Sequence, residues 1–260
     1  MMAKTLEKVF TISALITLLQ ISLMAKDLIG YVNPFIGTSN SGNTYPNAVA
    51  PLGMISVGAQ NDDFVNKPPH HAVSYTYGGT KFYGISHTNL SGVGCPDSGS
   101  LVFFPQTGTI DLEKLGSGVP FDNEKASPGF YSAIVNQNIT LQATVGVRSS
   151  FEEYRFDSES NFLLINLGRN LSKVDGAAIR IISKSEIAGH QQEGRFCNRS
   201  AERTLYFVVR FSEPAEDMQI FDGNALKDPG VKYLAGNKIG AAIHLGNRKK
   251  ALVKVGISYV

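Results

Sequence analysis

The sequence predicts an all-β protein, an antiparallel β-sandwich carrying long glycine-rich loops. Three observations lead there. Apolar and polar residues alternate with a period of two in several separate runs, turn-forming clusters sit between those runs, and no segment sustains the spacing of three and four that an amphipathic helix requires. Many short strands joined by tight turns bury their apolar faces by packing sheet on sheet or by closing into a barrel.

At the N-terminus, Lys4 and Lys8 precede an apolar run from Val9 to Met24, and Ala25 stands before Lys26-Asp27. That is the layout of a signal peptide over residues 1–25. Thr11, Ser13, Thr17, Gln20 and Ser22 interrupt the run, which falls short of the roughly 20 mostly apolar residues of a membrane span. No cysteine follows the cleavage site, which disfavours a lipid-anchored precursor. The expected product is periplasmic or secreted and occupies residues 26–260, enough for one large all-β domain or two small ones.

From Tyr31 to about Cys95 the chain is rich in Gly, Pro, Asn, Ser, Tyr and His and shows little alternation. Such a stretch reads as loops on a scaffold, where binding groups tend to sit. Within it, Tyr75 and Tyr77 are spaced to place both rings on one strand face, where filling the core is the favoured role. A short helix is expected over Asp111 to Leu115.

Strands follow. Ile139, Leu141, Ala143, Val145 and Val147 alternate with polar or small residues. Leu205, Phe207, Val209 and Phe211 repeat the pattern, as do Val253, Val255, Ile257 and Tyr259. Asn136-Gln137-Asn138, Asp157 to Asn161 and Gly246-Asn247-Arg248 are the turns between runs. The final strand stops at Val260 in mid-pattern, as though a longer protein had been interrupted.

A net charge of +2 gives no basic field of the kind that nucleic-acid binders use. No later segment is long and apolar enough to cross a membrane. Cys95 and Cys197 could pair in an oxidising compartment or remain two separate buried thiols; the sequence leaves both open.

Catalysis by paired carboxylates would draw on Asp62-Asp63, Asp97, Asp111, Glu113 or Glu152-Glu153. Neighbours on a strand face opposite ways, so Glu152 and Glu153 do not converge. Most of these acids read as solvated surface groups. Asp97 follows a glycine-rich loop, where Cys95-Pro96-Asp97-Ser98-Gly99 is either a turn or part of a binding site. In that loop the His87 imidazole could exchange hydrogen bonds with a ligand hydroxyl or be a satisfied structural residue, and Ser91, Gly92 and Gly94 would let backbone approach a ligand. His70-His71 lacks the spaced partners of a zinc site, and Gly92-Val93-Gly94 has neither dinucleotide nor phosphate-loop spacing.

Tyr31 to Thr38, Gly42-Asn43-Thr44-Tyr45-Pro46 and Pro51-Leu52-Gly53-Met54 together resemble the opening of glycoside hydrolase family 92, the exo-α-mannosidases. Tyr83 to Cys95 is similar to the family's signature loop, and Glu124 to Ser132 to its next block. Ile187-Ala188-Gly189, Gly194-Arg195-Phe196-Cys197 and the strand Tyr206 to Phe211 follow in the family's order.

The resemblance implies a supersandwich-like N-terminal β-sandwich that packs against a C-terminal (α/α)6 barrel, with a calcium-dependent, inverting α-mannosidase site between them. In that family the general acid, the general base and the calcium ligands come from the barrel. This chain is therefore expected to hold no catalytic and no metal-ligating residue and to be inactive alone. Its expected share of the α-mannoside-binding site is His87, Gly37, Gly94, Cys95 and Asp97, with the loop of Gly37, Thr38, Gly42 and Thr44 nearby. The barrel, separately encoded or missing, is the expected partner. Two departures from the family bear on linkage preference: Asn89 stands where the signature loop often has a second histidine, and the chain has no tryptophan. A free-standing carbohydrate-binding module and a truncated, non-functional remnant are the alternative readings.

Overall fold

A computed structural model describes residues 28–40, 42–61, 72–194, 197 and 202–260. The expected signal peptide, Asp62-Asp63 and His70-His71 lie outside the described residues. Residues 28–32 belong to a first unit and carry a 3-10 turn at Ile29–Tyr31. All that follows concerns the second unit, Asn33–Val260.

Its strands, in chain order, are β1 (Ala48–Val49), β2 (Ser56–Gln60), β3 (Lys81–Phe82), β4 (Gly84–Ser86), β5 (Val102–Thr107), β6 (Val119–Ser127), β7 (Phe130–Val135), β8 (Ile139–Val145) and β9 (Ser149–Phe156). Then come β10 (Asn161–Asn166), β11 (Ala177–Ser183), β12 (Glu186–Gly194), β13 (Glu202–Phe211), β14 (Asp217–Asp222), β15 (Ala225–Leu226), β16 (Tyr233–Gly236), β17 (Ile239–Gly246) and β18 (Lys250–Ser258). A single helical turn, α1 (Lys114–Ser117), precedes β6.

The strands form two sheets. One has eight strands in the order β1-β2-β4-β5-β10-β17-β14-β15, the other ten in the order β16-β11-β12-β13-β18-β9-β8-β7-β6-β3. Their ladders are antiparallel, as in β10 with β17 and β13 with β18. The protein is thus the expected all-β sandwich. Ile139, Leu141 and Ala143, with Leu205, Phe207 and Val209 and with Val253, Val255 and Ile257, line the inner face of the ten-stranded sheet and join one continuous apolar core.

The central strands β10 and β17 are buried along nearly their whole length. They therefore read as unbroken apolar runs, Phe162-Leu163-Leu164-Ile165 and Ala241-Ala242-Ile243, with no alternation to reveal them.

Several local expectations are corrected. Strand β8 ends at Val145, and Val147 is an exposed turn residue whose carbonyl accepts from the Met54 N–H at 2.7 Å. Tyr259 lies beyond the end of β18. The helical turn starts three residues later than expected because Gln106 holds the Asp111 backbone on both its N–H and its carbonyl, while Asp111 Oδ1 accepts from the Glu113 N–H. Tyr75 and Tyr77 do not share a strand face: they sit in a loop, Tyr75 buried and Tyr77 exposed. The turn at 136–138 forms as expected, with Asn136 and Gln137 both in the left-handed region (φ 50° and 64°), the conformation that matches strand twist in a tight hairpin.

Two strand glycines give a paired test of packing. A Cβ on Gly240 would lie 2.1 Å from the Ile165 carbonyl oxygen and 2.2 Å from Phe221 Cζ, whereas one on Gly256 would meet nothing within 4 Å. In urea denaturation, Gly240→Ala is expected to lose about 1–3 kcal/mol through overpacking. Gly256→Ala is expected to be neutral or slightly stabilising.

Candidate functional site

The glycine-rich loop between β4 and β5 and the opening block come together at one end of the sandwich. Gly92 N–H donates to the Asn43 carbonyl at 2.6 Å, and Tyr45 N–H donates to Ser91 Oγ at 3.0 Å. Both Asn43 (φ 55°) and Gly92 (φ 76°) are left-handed there, which turns the two segments toward each other. Ser56 N–H donates to the His87 carbonyl, so β2 carries the start of the loop. Cys95 and Cys197 form a disulfide with a Cα separation of 5.2 Å, tying the loop to the segment between β12 and β13.

These segments enclose a cavity of about 480 Å³. Asn47, Ser56, Thr88, Asn89, Ser91, Ser98 and Arg203 supply its polar lining, and Tyr45, Val49, Met54, Leu90 and Tyr259 supply apolar surface. No carboxylate is among the described lining residues. Hydroxyls, amides, a guanidinium and two phenol rings converging on a concave surface suit a small polyhydroxylated ligand.

Behind the cavity wall lies a charged network. Arg203 Nη2 donates to Asp97 Oδ2 at 2.9 Å and to Ser98 Oγ at 2.9 Å, and lies 3.4 Å from Glu193 Oε1. Thr88 Oγ1 donates to Glu193 Oε2 at 3.2 Å, and the Tyr259 hydroxyl donates to Glu193 Oε1. Burial together with the Glu193 charge pushes the Tyr259 hydroxyl well above the ordinary phenol range. Burial works against the Arg203 charge, but its hydrogen bond to Asp97 and the charges of Glu193 and Asp97 outweigh this and raise its pKa.

The structure separates the sequence-derived site residues from one another. His87 is fully buried beneath the loop, with Nε2 2.6 Å from Glu152 Oε1 and Nδ1 against the Leu101 carbonyl, so both ring nitrogens face protein acceptors. Asp97, 1% exposed, stands behind Arg203 and accepts from the Ser98 N–H at 2.8 Å. Gly37 (φ 79°) is packed against Thr44, Gly94 is exposed on the outside of the loop, and Cys95 is committed to the disulfide. None of these five lines the cavity.

Arg203, Tyr259 and Glu193 were not singled out in the sequence. Their one signal is position: Glu193 and Arg203 flank the Gly194 to Cys197 block, and Tyr259 ends an alternating run. Thr88, Asn89 and Ser91 were visible only as members of the signature loop.

Glu152 is a correction to the reading of the acids as solvated. It points inward from β9 and is fully buried, while Glu153, its neighbour, faces outward and pairs with Arg155. Three donors serve Glu152: His87, Ser150 Oγ at 2.7 Å and the Tyr154 hydroxyl at 2.5 Å. Burial alone would raise its pKa, but the charge and hydrogen bond of His87, with the hydrogen bonds of Ser150 and Tyr154, lower it below the ordinary value. Glu124 goes the other way. A bulge between Asp122 and Lys125 turns it toward Tyr75 and Tyr131, whose hydroxyls donate to it at 2.9 and 2.5 Å. Burial raises its pKa, and the two phenol hydrogen bonds only partly offset that.

Three stability measurements follow. His87→Ala leaves the Glu152 charge buried without its partner and should cost about 3–5 kcal/mol in chemical denaturation. Because the Glu152 pKa is lowered on folding, its contribution is fully present above the unfolded carboxyl value and is lost as pH falls through the folded one. Glu152→Gln should therefore flatten the acid limb of the stability profile. For Glu124 the sign is reversed. Its raised pKa imposes a penalty that is complete above the folded value and absent below the unfolded one, so in thermal melts the stability of Glu124→Gln relative to the parent should increase as pH rises from the unfolded carboxyl value through the folded one.

The sequence profile of the glycosyl hydrolase family 92 N-terminal domain matches residues 31–258. A secreted glycosidase of Arthroderma benhamiae is 30% identical over 144 residues, a match that covers 52% of this chain and 18% of that protein. Among solved structures, a family GH92 α-mannosidase from Bacteroides thetaiotaomicron superposes with a TM-score of 0.81 at 27% identity, over 90% of this chain and 34% of its own. A family GH92 inverting mannosidase from the same organism has a TM-score of 0.75 at 21% identity, over 91% of this chain and 32% of its own, and bears on the fold alone. The chain thus spans about a third of the length of these solved relatives.

Proposed function

Because the chain belongs to the glycosyl hydrolase family 92 N-terminal domain family, we propose that its loop-lined cavity is the share of an α-mannoside-binding site that this domain contributes. The observation that carries the reading is the cavity itself: the opening block and the signature loop, far apart in sequence, meet to line it with hydroxyl and amide groups. Gly37, Gly94, Cys95 and His87 serve it from outside, by fixing the backbone of the two loops. Asp97 serves it through Arg203.

Inverting glycoside hydrolysis needs a carboxylic acid and a carboxylate about 6.5–9.5 Å apart across the scissile bond. The described lining offers neither. The buried acids nearby are engaged, Glu152 by His87 and Asp97 and Glu193 by Arg203. We therefore assign the chain a binding role and place proton transfer with a partner domain of the (α/α)6 type. Calcium fits no donor set in this part of the fold: no group of three or more His, Cys, Asp and Glu converges among the described residues, and the buried carboxylates have other partners. No step is derived through the ion.

An extracytoplasmic setting is supported by the secreted relative and by the Cys95–Cys197 bridge, since such bonds persist in oxidising compartments. Among the described residues no helix is long and apolar enough to cross a membrane.

Titration of the isotope-labelled chain with methyl α-mannoside should shift the backbone resonances of Thr88, Ser91 and Arg203 together, with saturation. Ser91→Trp, which fills the cavity from an exposed position, should abolish those shifts. Shifts confined to other residues would remove the site. No mannose should be released from an aryl α-mannoside by the purified chain, and release above a buffer control would overturn the non-catalytic assignment.

A further inference from the structure

An arginine in a binding cavity is suited to a phosphate or a carboxylate on the ligand, because the guanidinium fork matches those groups in shape and charge. Here that role is already taken by the protein. Arg203 is the one cationic side chain among the described lining residues, and its Nη2 is committed to Asp97, Ser98 and Glu193. Asp97 and Glu193 are 1% and 0% exposed and do not line the cavity, so they stand behind the guanidinium. The Tyr259 hydroxyl donates to Glu193 and its ring lies under the guanidinium, 5.9 Å from Arg203 Cζ, which holds the side chain in place.

Two consequences follow from the geometry. The contacts of Arg203 with Asp97, Ser98 and Glu193 all leave from Nη2, and the side chain is 38% exposed and lines the cavity, so the rest of the guanidinium fork can turn N–H groups to a ligand there. At the same time two carboxylates face one guanidinium. An anion about 4 Å in front of the guanidinium would lie about 7 Å from the two carboxylates, and with energy falling as reciprocal distance the attraction and the doubled repulsion are about equal. The wall presents donors without net positive charge.

Resting on the sugar-site reading above, we propose that Arg203 reads the hydroxyl or ring oxygens of a neutral sugar, and that Asp97 and Glu193 make the site discriminate against sugars bearing a phosphate or carboxylate. An anionic ligand would have to leave water for a site that returns no net Coulomb attraction, whereas a neutral hydroxyl loses little by the exchange. The selectivity is built into the buried layer and not into the lining.

The test compares methyl α-mannoside with methyl α-mannoside 6-phosphate by titration calorimetry on the full chain at low salt. The neutral sugar should bind at least about tenfold more tightly, since the phosphate gains no compensating attraction. Asp97→Asn keeps an acceptor for the Ser98 N–H but removes one buried charge, and should shrink that preference, read as the ratio of the two affinities on the same variant, about tenfold. Glu193→Gln is the second variant, and thermal melts identify which of the two remains folded. Tighter or equal binding of the phosphorylated sugar by the parent chain would overturn the inference while leaving the sugar site standing. A preference that survives in the folded variants would also overturn it, since the carboxylates would then not be its source. Binding of neither sugar would take down the site reading and this inference with it.

Discussion

The contact on which the site depends is the buried pair of His87 and Glu152. His87 follows β4 in the eight-stranded sheet, and Glu152 lies on β9 in the ten-stranded sheet, so their 2.6 Å contact joins the two layers at the root of the glycine-rich loop. Neither side chain is exposed. A buried charge pair is a weak source of net stability compared with apolar packing, but it is costly to break from one side, and that asymmetry makes it a device for fixing geometry. With Ser150, Tyr154 and the Leu101 carbonyl each taking one of the remaining hydrogen-bonding positions, one arrangement of the loop root satisfies every partner.

From that root the loop is positioned outward in layers. Gln191 receives the Leu101 N–H through its side-chain oxygen and donates to the Leu167 and Arg169 carbonyls, so β12 holds the far end of the loop as firmly as β9 holds its start. The disulfide fixes the tip, and the Asp97–Arg203–Glu193 network fixes the side facing the cavity. A polar cluster of this size inside a sandwich is destabilising unless fully satisfied. Here it lies beside the cavity, and its cross-links hold the two loops that line the cavity in one arrangement.

The division between wall and backing also separates two kinds of residue that a motif treats alike. The signature loop contains Thr88, Asn89 and Ser91, which face the cavity, and His87, Gly94 and Cys95, which do not. Their adjacency in sequence reflects a shared need for one loop conformation, not a shared place in the cavity wall. The glycine at 94 leaves open space around its missing Cβ, while Gly92 supplies a left-handed turn that a larger residue would strain.

Fold class was legible in the sequence because burial of one strand face writes itself as alternation: β8, β13 and β18 can each be read directly from their residues. The central strands β10 and β17 could not, since burial on both faces erases the alternation. The order of the blocks from Tyr31 onward identified the family, and the glycine-rich loop marked one wall of the cavity. Which side chains meet there was decided by tertiary structure. Arg203 and Tyr259 come from the start of β13 and the residue after β18, and reach Thr88 and Asp97 only because β12, β13 and β18 are neighbours in the ten-stranded sheet. Likewise, alternation shows that Glu152 and Glu153 point apart, but only the assembled sandwich shows that Glu152 meets a histidine from the opposite sheet. Local residue pattern sets which face of a strand is buried, whereas the partner found across the interior depends on strand order and register, which no single segment encodes.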